Sequence, residues 1–463
     1  MEGDPTGLPL SEDVLADVLR RLPPRSLAAS RCVCKAWLAV IDGRRLLRAD
    51  LLPHSVRGIF LTYHDLDFPA FLSSPSTQPV MMFNKLDLYR LRPEPYYLYS
   101  FTTVLDHRNG LLLYQDRRGM HVANPATQRR AQLPTPPRFG ETHLLPEGLL
   151  LFDPTESPHY EVLIVPVDWL TEETEEEMQH ETMDRSKEWP ASTWVLCVFS
   201  SRTGQWEERS FVREGEAVRT AYDEYIDPLW QASSAYCRGA LFVQCNGGSD
   251  VLRISLSNDK YQVIELSADI GEAKDRKPYL GRSKHGVCCA LFDSWFSCKF
   301  RVWILDESCG KTGWVLKHHV DIEHNVSRVM SSCIQIEGPW ILEDANVHEA
   351  YGANVNNNAL VKSEFEWESE NDNIVDGEHE VCQSFRRHFT FLGFHPYKDV
   401  VFLDISMDRA VACHLNTCKI QDLGKVCPGY YGGPVASLIS PFLYTPCLME
   451  EFPESKWETH IED

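Results

Sequence analysis

The chain has 463 residues, of which 43% are hydrophobic and 24% charged, a composition typical of globular proteins with two to four domains. The formal net charge is −22, and because phosphate binding requires clustered Lys and Arg, we expect no nucleic-acid partner. The sequence lacks a run of about eighteen apolar residues and the features of a signal peptide, so we expect no membrane association. Fifteen scattered cysteines favour a reducing compartment, which predicts a cytoplasmic or nuclear protein.

The first predicted element is a helical unit between Leu10 and Arg48. Ser11 is a suitable N-cap, two carboxylates follow it in the first turn, and Pro23 ends the first helix. The apolar residues of this helix have helical spacing and fall on one stripe: Val14, Leu15, Val18, Leu19 and Leu22. A unit of about forty residues rarely buries enough surface to be stable alone. We therefore expect the stripe to pack against the rest of the chain or against a partner.

The same stretch resembles the F-box of plant proteins. The matching motifs are Leu22-Pro23-x-x-Ser26-Leu27 and Arg31-x-Val33-Cys34-Lys35-x-Trp37. Leu10-Ser11 stands where the family usually has Leu-Pro. The resemblance implies a three-helix domain over residues 8–50 that docks on a Skp-family adaptor and, through it, on a cullin. The residues expected at this contact are Leu10, Leu15, Val18, Leu19, Leu22, Pro23, Leu27, Val33, Cys34, Lys35 and Trp37.

The rest of the chain, from about residue 58 to 445, consists of short β-rich runs separated by Gly, Pro, Asn and Asp. Strands are predicted at 58–63, 110–114, 160–165, 194–199, 240–243, 251–254, 300–305 and 400–403. No long helical pattern lies between them, which indicates an all-β domain. Four strand–turn–strand stretches recur, at 199–206, 254–264, 305–316 and 412–420. Their separations fit propeller blades of about 40–50 residues but do not fix a blade number.

This strand-rich region resembles the F-box-associated, propeller-like domain of plant F-box proteins. The matching stretches are 109–112, 122–128 with 133–134, 303–306 with 314–318, and 393–402. The expected fold class is therefore α+β and multidomain, with a three-helix F-box followed by a large all-β domain, of β-propeller type, over residues 55–447.

Two acidic insertions interrupt the predicted all-β domain, near 171–189 and 342–380. Residues 172–188 hold eight acids and two bases, and residues 343–380 hold eleven acids and one base, so that −16 of the net charge of −22 lies in these two segments. The charge is therefore expected to describe solvated insertions rather than a substrate site.

No constellation of residues indicates catalysis. We find no GxGxxG after a strand, no P-loop, no His-Glu-x-x-His, and no cysteine pairs at zinc-site spacing. The sequence thus predicts no catalytic residue, no metal site, no cofactor and no enzyme activity. The resemblance implies a substrate-recruiting adaptor subunit of a Skp-cullin-F-box (SCF) ubiquitin ligase, whose substrate is unknown. The alternatives are a scaffold that binds the adaptor without delivering substrates, and a propeller that binds a small ligand.

Loops on one face of such a domain usually carry recognition. Three turns are candidates for substrate contact, near His107-Arg108, Asp223-Glu-Tyr225 and Asp293-Ser-Trp295. The sequence does not rank them.

Overall fold

A computed structural model describes the following parts of the chain. They are residues 12–22, 27, 30, 33–44, 46, 56–63, 69–75, 103–116, 118–127, 129–137, 147–154, 156–165, 188–217, 219–220, 233–244, 250–266, 278–294, 297–308, 312–332, 339–343, 388–405, 409–426 and 438–447. Helices α1 (Glu12–Arg20) and α2 (Lys35–Gly43) form the N-terminal helical unit, and α3 (Glu323–Ser332) lies within the strand-rich region.

The helical unit has a core of its own. Leu15 and Leu19 of α1 pack with Val40 and Ile41 of α2, and Leu27, from the segment between the helices, joins them. The first helix ends before Pro23, as predicted. Leu27 and Ser30 have helical conformation, while the count of three helices stays a prediction.

The strand-rich region consists, in the described residues, of six four-stranded antiparallel units. Unit 1 contains β1 (Gly58–Tyr63), β2 (Ala70–Ser73), β21 (Ile341–Glu343) and β26 (Leu438–Tyr444). Unit 2 contains β3 (Thr103–Arg108), β4 (Leu111–Asp116), β5 (Gly119–Asn124) and β6 (Arg129–Gln132). Unit 3 contains β7 (Glu147–Leu151), β8 (Glu161–Val165), β10 (Thr193–Ser200) and β11 (Gln205–Arg213).

The remaining units follow in chain order. Unit 4 contains β13 (Ser234–Cys237), β14 (Ala240–Gln244), β15 (Asp250–Ser255) and β16 (Lys260–Glu265). Unit 5 contains β17 (Tyr279–Ser283), β18 (Gly286–Phe292), β19 (Lys299–Asp306) and β20 (Gly313–Asp321). Unit 6 contains β22 (Phe389–Phe394), β23 (Val400–Ile405), β24 (Arg409–His414) and β25 (Ile420–Lys425). A two-residue parallel pairing of β11 with β16 joins units 3 and 4, and β9 (Glu188–Trp189) pairs separately with β12 (Arg219–Thr220).

Six hydrophobic clusters show how the units are arranged. Each cluster draws its buried side chains from two units that follow one another, and the last cluster joins unit 6 to unit 1. The ring of units is therefore closed. Unit 1 closes it by backbone hydrogen bonds, because it pairs β1 with β26 from the other end of the region. This propeller-like arrangement buries both faces of second strands such as β4, β14, β18 and β23, which explains their continuous apolar runs. The outermost strands β6, β11 and β20 are largely exposed.

All eight predicted strands are found, and the four predicted strand–turn–strand stretches are the hairpins between the third and fourth strands of units 3 to 6. The two acidic insertions fall mostly outside the described residues. Their described ends are strands: Glu188 and Trp189 form β9, and the second insertion begins within β21.

Helix α3 was not predicted. The sequence shows no long helical pattern between the strands, and α3 has only ten residues. The Asp321 carboxylate accepts a hydrogen bond from the N–H of Glu323 at 3.1 Å, as an N-terminal cap does. Val326 and Val329 of α3, and Ile322 directly before it, are fully buried in the cluster shared by units 5 and 6. Their spacing is helical, so the signal was present in the sequence but short.

Gly110, in the turn between β3 and β4, provides a test of this packing. Its φ is +88°, and a Cβ there would lie 2.5 Å from the backbone nitrogen of Cys447. We expect Gly110→Ala to lower the free energy of unfolding by about 2–3 kcal/mol, because it adds backbone strain and a clash with main chain that cannot yield. Gly204→Ala is the control, since its φ is +71° with nothing within 4 Å, and about 1 kcal/mol is expected. Urea unfolding measures both variants. Equal losses of unfolding free energy in the two would contradict the close approach of Gly110 to the backbone of Cys447.

Candidate docking surface and inner cavity

The helical unit exposes apolar side chains although the whole chain is present. Val14, Val18 and Val33 are 47%, 48% and 62% exposed, and in the described residues only five other large hydrophobic side chains are exposed to a similar degree. Cys34 and Lys35 are also exposed. We call Val14, Val18, Val33, Cys34 and Lys35 the helical docking surface.

Helix geometry places Val18 toward the end of the unit that holds Val33, Cys34 and Lys35, with Val14 one helical turn further away. Val14 and Val18 are four residues apart on α1 and so share a face. An ion pair of 2.6 Å joins Asp13, at the start of α1, to Arg44, after the end of α2. The two helices therefore run in opposite directions, and the end of α1 lies on the same side as the start of α2.

The structure divides the predicted adaptor-contact residues into three groups. Leu15, Leu19 and Leu27 are at most 1% exposed inside the unit's own core. Leu22 and Trp37 are half-buried and pack against that core. The exposed members are Val18, Val33, Cys34 and Lys35. Leu10 and Pro23 lie outside the described residues. Direct contact of the buried leucines with an adaptor stays a prediction.

The predicted single stripe on α1 is thus corrected. The stripe divides into two parts. Leu15 and Leu19 face the core of the helical unit, while Val14 and Val18 face solvent. Val14 was missing from the predicted contact set. Its position four residues before Val18 was the signal that could have identified it.

A second site lies at the centre of the ring. We call β26, β3, β7, β13, β17 and β22 the inner strands, because each is an edge of its unit and they contact one another in the pairs β3–β7, β13–β17, β17–β22 and β22–β26. All of them except β7 supply residues to a cavity of about 100 Å³, the inner cavity. Its described lining is His107, Arg108, Asn109, Ser234, Ala235, Tyr236, Tyr279, Gly281, Arg282, Gly393, Phe394, Pro396, Leu443 and Thr445.

Arg108 is the most buried charged residue of this lining, with 9% of its surface exposed. Its Nη1 donates to the Asp106 carboxylate at 2.7 Å and to the carbonyl of His107 at 2.5 Å. Its Nη2 donates to the Ser234 hydroxyl at 2.5 Å, which connects unit 2 with unit 4. Asp106 also accepts the N–H of Leu150 from β7 at 2.8 Å. The guanidinium is therefore held in one orientation.

The neighbouring titratable groups stay uncharged or are paired. Burial, helped by the charge of Arg108, lowers the pKa of His107 well below its usual value. Burial raises the pKa of Tyr236 and of Tyr279 to about 12. Arg282 lies 3.3 Å from the Asp153 carboxylate. At neutral pH the imidazole is therefore neutral and both tyrosine hydroxyls carry their protons.

The three predicted recognition turns differ in where they lie and in how much of them the structure describes. His107 and Arg108 line the inner cavity. Asp293 forms an ion pair of 3.2 Å with Arg301 on β19, away from the cavity lining. Residues 223–225 and Trp295 lie outside the described residues. The ring thus brings the first of these turns together with β13, β17, β22 and β26, which sequence reasoning could not foresee.

Three further observations concern the chemistry of the described residues. They contain no group of three or more His, Cys, Asp or Glu side chains placed to hold a metal ion. No helix among them is both long enough and apolar enough to cross a bilayer. Cys288 and Cys289, adjacent on β18, lie in different clusters on its two faces.

Comparison with known proteins identifies the helical unit. Residues 8–49 match the F-box domain, so the predicted F-box is confirmed. The chain is similar to the F-box protein At5g18160 of Arabidopsis thaliana, with 24% identity over 190 residues, which are 40% of this chain and 48% of that protein. It therefore spans about half the length of this curated relative.

Among solved structures, the chain is similar to YCF48 bound to D1 peptide, with 6% identity, a TM-score of 0.33, and coverage of 80% of this chain and 78% of that one. It is also similar to the N-terminal domain of Nup159, with 10% identity, a TM-score of 0.29, and coverage of 84% and 90%.

Proposed function

Because the chain carries an F-box at residues 8–49, we propose that it is the substrate-recruiting adaptor subunit of an SCF ubiquitin ligase. The F-box docks on a Skp-family adaptor, and through it on a cullin, while the strand-rich region holds the substrate protein. The chain itself is non-catalytic and acts by bringing the substrate close to the other subunits. The observation that carries the proposal is the exposure of Val14, Val18 and Val33 in the presence of the whole chain.

The helical docking surface supplies part of the adaptor contact. Burying a fully exposed valine gains about 1.5–3 kcal/mol, so three half-exposed valines gain about 2–4 kcal/mol before association costs. A micromolar complex requires about 8 kcal/mol. The remainder must come from other residues, among which Leu10 and Pro23 are the predicted candidates. The buried leucines fix the positions of α1 and α2 beneath this surface.

For the strand-rich region we propose a six-bladed β-propeller that follows the F-box, with the domain limits 8–50 and 55–447. The closed sequence of clusters supports this assignment. A propeller that binds a small ligand is less favoured, because the inner cavity has about 100 Å³ and ligand pockets usually have about 300–1,000 Å³. The compartment, cytoplasm or nucleus, stays a prediction.

The docking experiment uses Val18→Lys together with Val33→Lys in the full chain. Both side chains are exposed, and Lys at position 18 falls in the last turn of α1, where a cation is favourable. We expect the affinity for a purified Skp-family adaptor to fall by at least about 2 kcal/mol, or about 30-fold in Kd, because two apolar contacts are replaced by charges that must be desolvated.

The matched control is Val212→Lys with Val315→Lys. These valines of the strand-rich region are 51% and 52% exposed, so the control adds the same charge at similar exposure. Its adaptor affinity should equal that of the unchanged chain. An unchanged adaptor affinity of the Val18→Lys, Val33→Lys variant would refute the helical docking surface. Adaptor binding without ubiquitin transfer to any co-purified substrate in a reconstituted ligase would identify a scaffold instead.

A further inference from the structure

The lining of the inner cavity contains two cations and no carboxylate among its described residues. Among its described residues Arg108 and Arg282 are the only Lys, Arg, Asp or Glu side chains, and His107 is neutral at physiological pH. The carboxylates that pair with the two arginines, Asp106 and Asp153, are not part of the lining. They hold the guanidinium groups from outside the cavity and leave the cavity itself without negative charge.

The lining also offers hydrogen-bond donors to an anion. The Tyr236 and Tyr279 hydroxyls stay protonated, since burial raises the pKa of each to about 12. Arg108 keeps a buried Nε–H that has no hydrogen-bond partner. A guanidinium has five N–H groups arranged to pair with a carboxylate through two parallel bonds. The chemistry of the cavity is therefore complementary to an anion.

The size of the cavity limits what this anion can be. The cavity has about 100 Å³, well below the roughly 300–1,000 Å³ of a usual ligand pocket. A carboxyl group with the methylene that carries it fits this space, whereas a drug-sized cofactor does not. Phe394 and Leu443 provide apolar wall for the methylene. A cavity of this size suits the tip of a longer molecule whose remainder stays outside.

We propose that the inner cavity binds a carboxylate of the substrate protein, either an Asp or Glu side chain or the C-terminal carboxylate. This inference rests on the proposed function and gives its substrate site a chemical class. Arg108, fixed by Asp106 and Ser234, is the anchor, and Arg282 is the second cation. The tyrosine hydroxyls of β13 and β17 donate to the same group.

The first test measures thermal stabilisation of the full chain by sodium acetate, with acetamide as the neutral analogue and sodium chloride at the same ionic strength as reference. Acetate is expected to raise Tm in a saturable way, because it binds the folded state, and acetamide is not. Arg282→Gln should weaken acetate binding about tenfold, the usual effect of losing a hydrogen bond to a charged group. Equal stabilisation by acetate and acetamide would overturn the proposal.

Arg301→Gln is the matched control, since Arg301 is also half-buried, pairs with a carboxylate at 3.2 Å, and lies outside the cavity lining. It should bind acetate like the unchanged chain, and a loss equal to that of Arg282→Gln would overturn the proposal. Arg108→Lys keeps the charge but removes the two-pronged geometry, so a further tenfold loss is expected. If this buried variant does not fold, Arg282→Gln and its control still decide the outcome.

Three peptides then separate the sources of the carboxylate. One has an internal Asp between glycines and blocked ends, the second has Asn in its place and a free C-terminus, and the third is neutral throughout. Binding of the first or second supports the proposal and names the source, while acetate binding without either peptide would overturn the assignment to a protein. These assays do not involve the adaptor. If carboxylates do not bind while the adaptor does, the carboxylate site alone is refuted. If carboxylates bind while the adaptor does not, the proposed function alone is refuted.

Discussion

Replacing Phe60 with alanine is expected to lower the free energy of unfolding by about 3–5 kcal/mol. Phe60 is fully buried on β1 and stands opposite Phe71 on β2 and Phe442 on β26, with ring centroids 4.7 and 5.4 Å apart. It also belongs to the cluster that joins units 1 and 2. The substitution removes buried area, leaves a cavity, and weakens the pairing between the two ends of the strand-rich region.

The comparison variant is Phe242→Ala. Phe242 is 1% exposed and lies in the cluster between units 4 and 5, away from the paired chain ends. Both variants should shift the urea midpoint to a similar extent. Hydrogen exchange should separate them, because only Phe60→Ala is expected to expose the amides of β26 in openings smaller than global unfolding. Equal protection of β26 in both variants would show that Phe60 has no special part in ring closure.

Local signals explain what the sequence predicts well. The sequence Ser-Ser-Arg-Thr-Gly between two apolar runs predicts the hairpin between β10 and β11. Gly204 supplies the positive φ that the turn needs. In the hairpins of units 4 and 6 the positive φ falls on Asp259 and Cys418 instead. The strands found in this way are mostly second, third or fourth strands, which are strongly apolar and flanked by turns.

Among the inner strands, β3, β13 and β17 are harder to predict, because they carry little apolar pattern. β13 is only Ser-Ala-Tyr-Cys, and β3 ends in Asp-His-Arg. Their partners are set by the ring, and β1 meets β26 across almost the whole region. No local pattern encodes a contact of that sequence separation. The inner cavity is built from these strands, which is why only His107-Arg108 could be singled out in advance.

In the F-box, the sequence predicts the helix but not which of its apolar residues are exposed. Helical spacing places Val14, Leu15, Val18 and Leu19 on one side of α1 but does not say which of them meet the core. That division depends on where α2 and Leu27 pack. The motif therefore predicts the domain, while the exposed edge of the stripe needs the tertiary structure.

Arg409→Met is expected to lower the free energy of unfolding by about 3–5 kcal/mol, because it takes the guanidinium away from a carboxylate that is largely buried. Arg409 on β24 and Asp422 on β25 have side chains that are only 2% and 15% exposed. Nε of Arg409 donates to one carboxylate oxygen at 2.7 Å, and Nη2 donates to the other. The pair is thus bidentate and lies within unit 6.

The double variant Arg409→Met with Asp422→Leu should regain most of this loss. Replacing both partners of a buried ion pair by apolar side chains is often neutral, whereas removing one partner is not. Arg253→Met is the exposed counterpart, since Arg253 and Glu307 are 3.2 Å apart with side chains that are 30% and 28% exposed, and its expected loss is about 0–1 kcal/mol. Urea unfolding of the three variants measures these differences. A double variant as unstable as Arg409→Met would mean that this pair contributes net stability of its own, beyond keeping the Asp422 carboxylate from being buried without its cation.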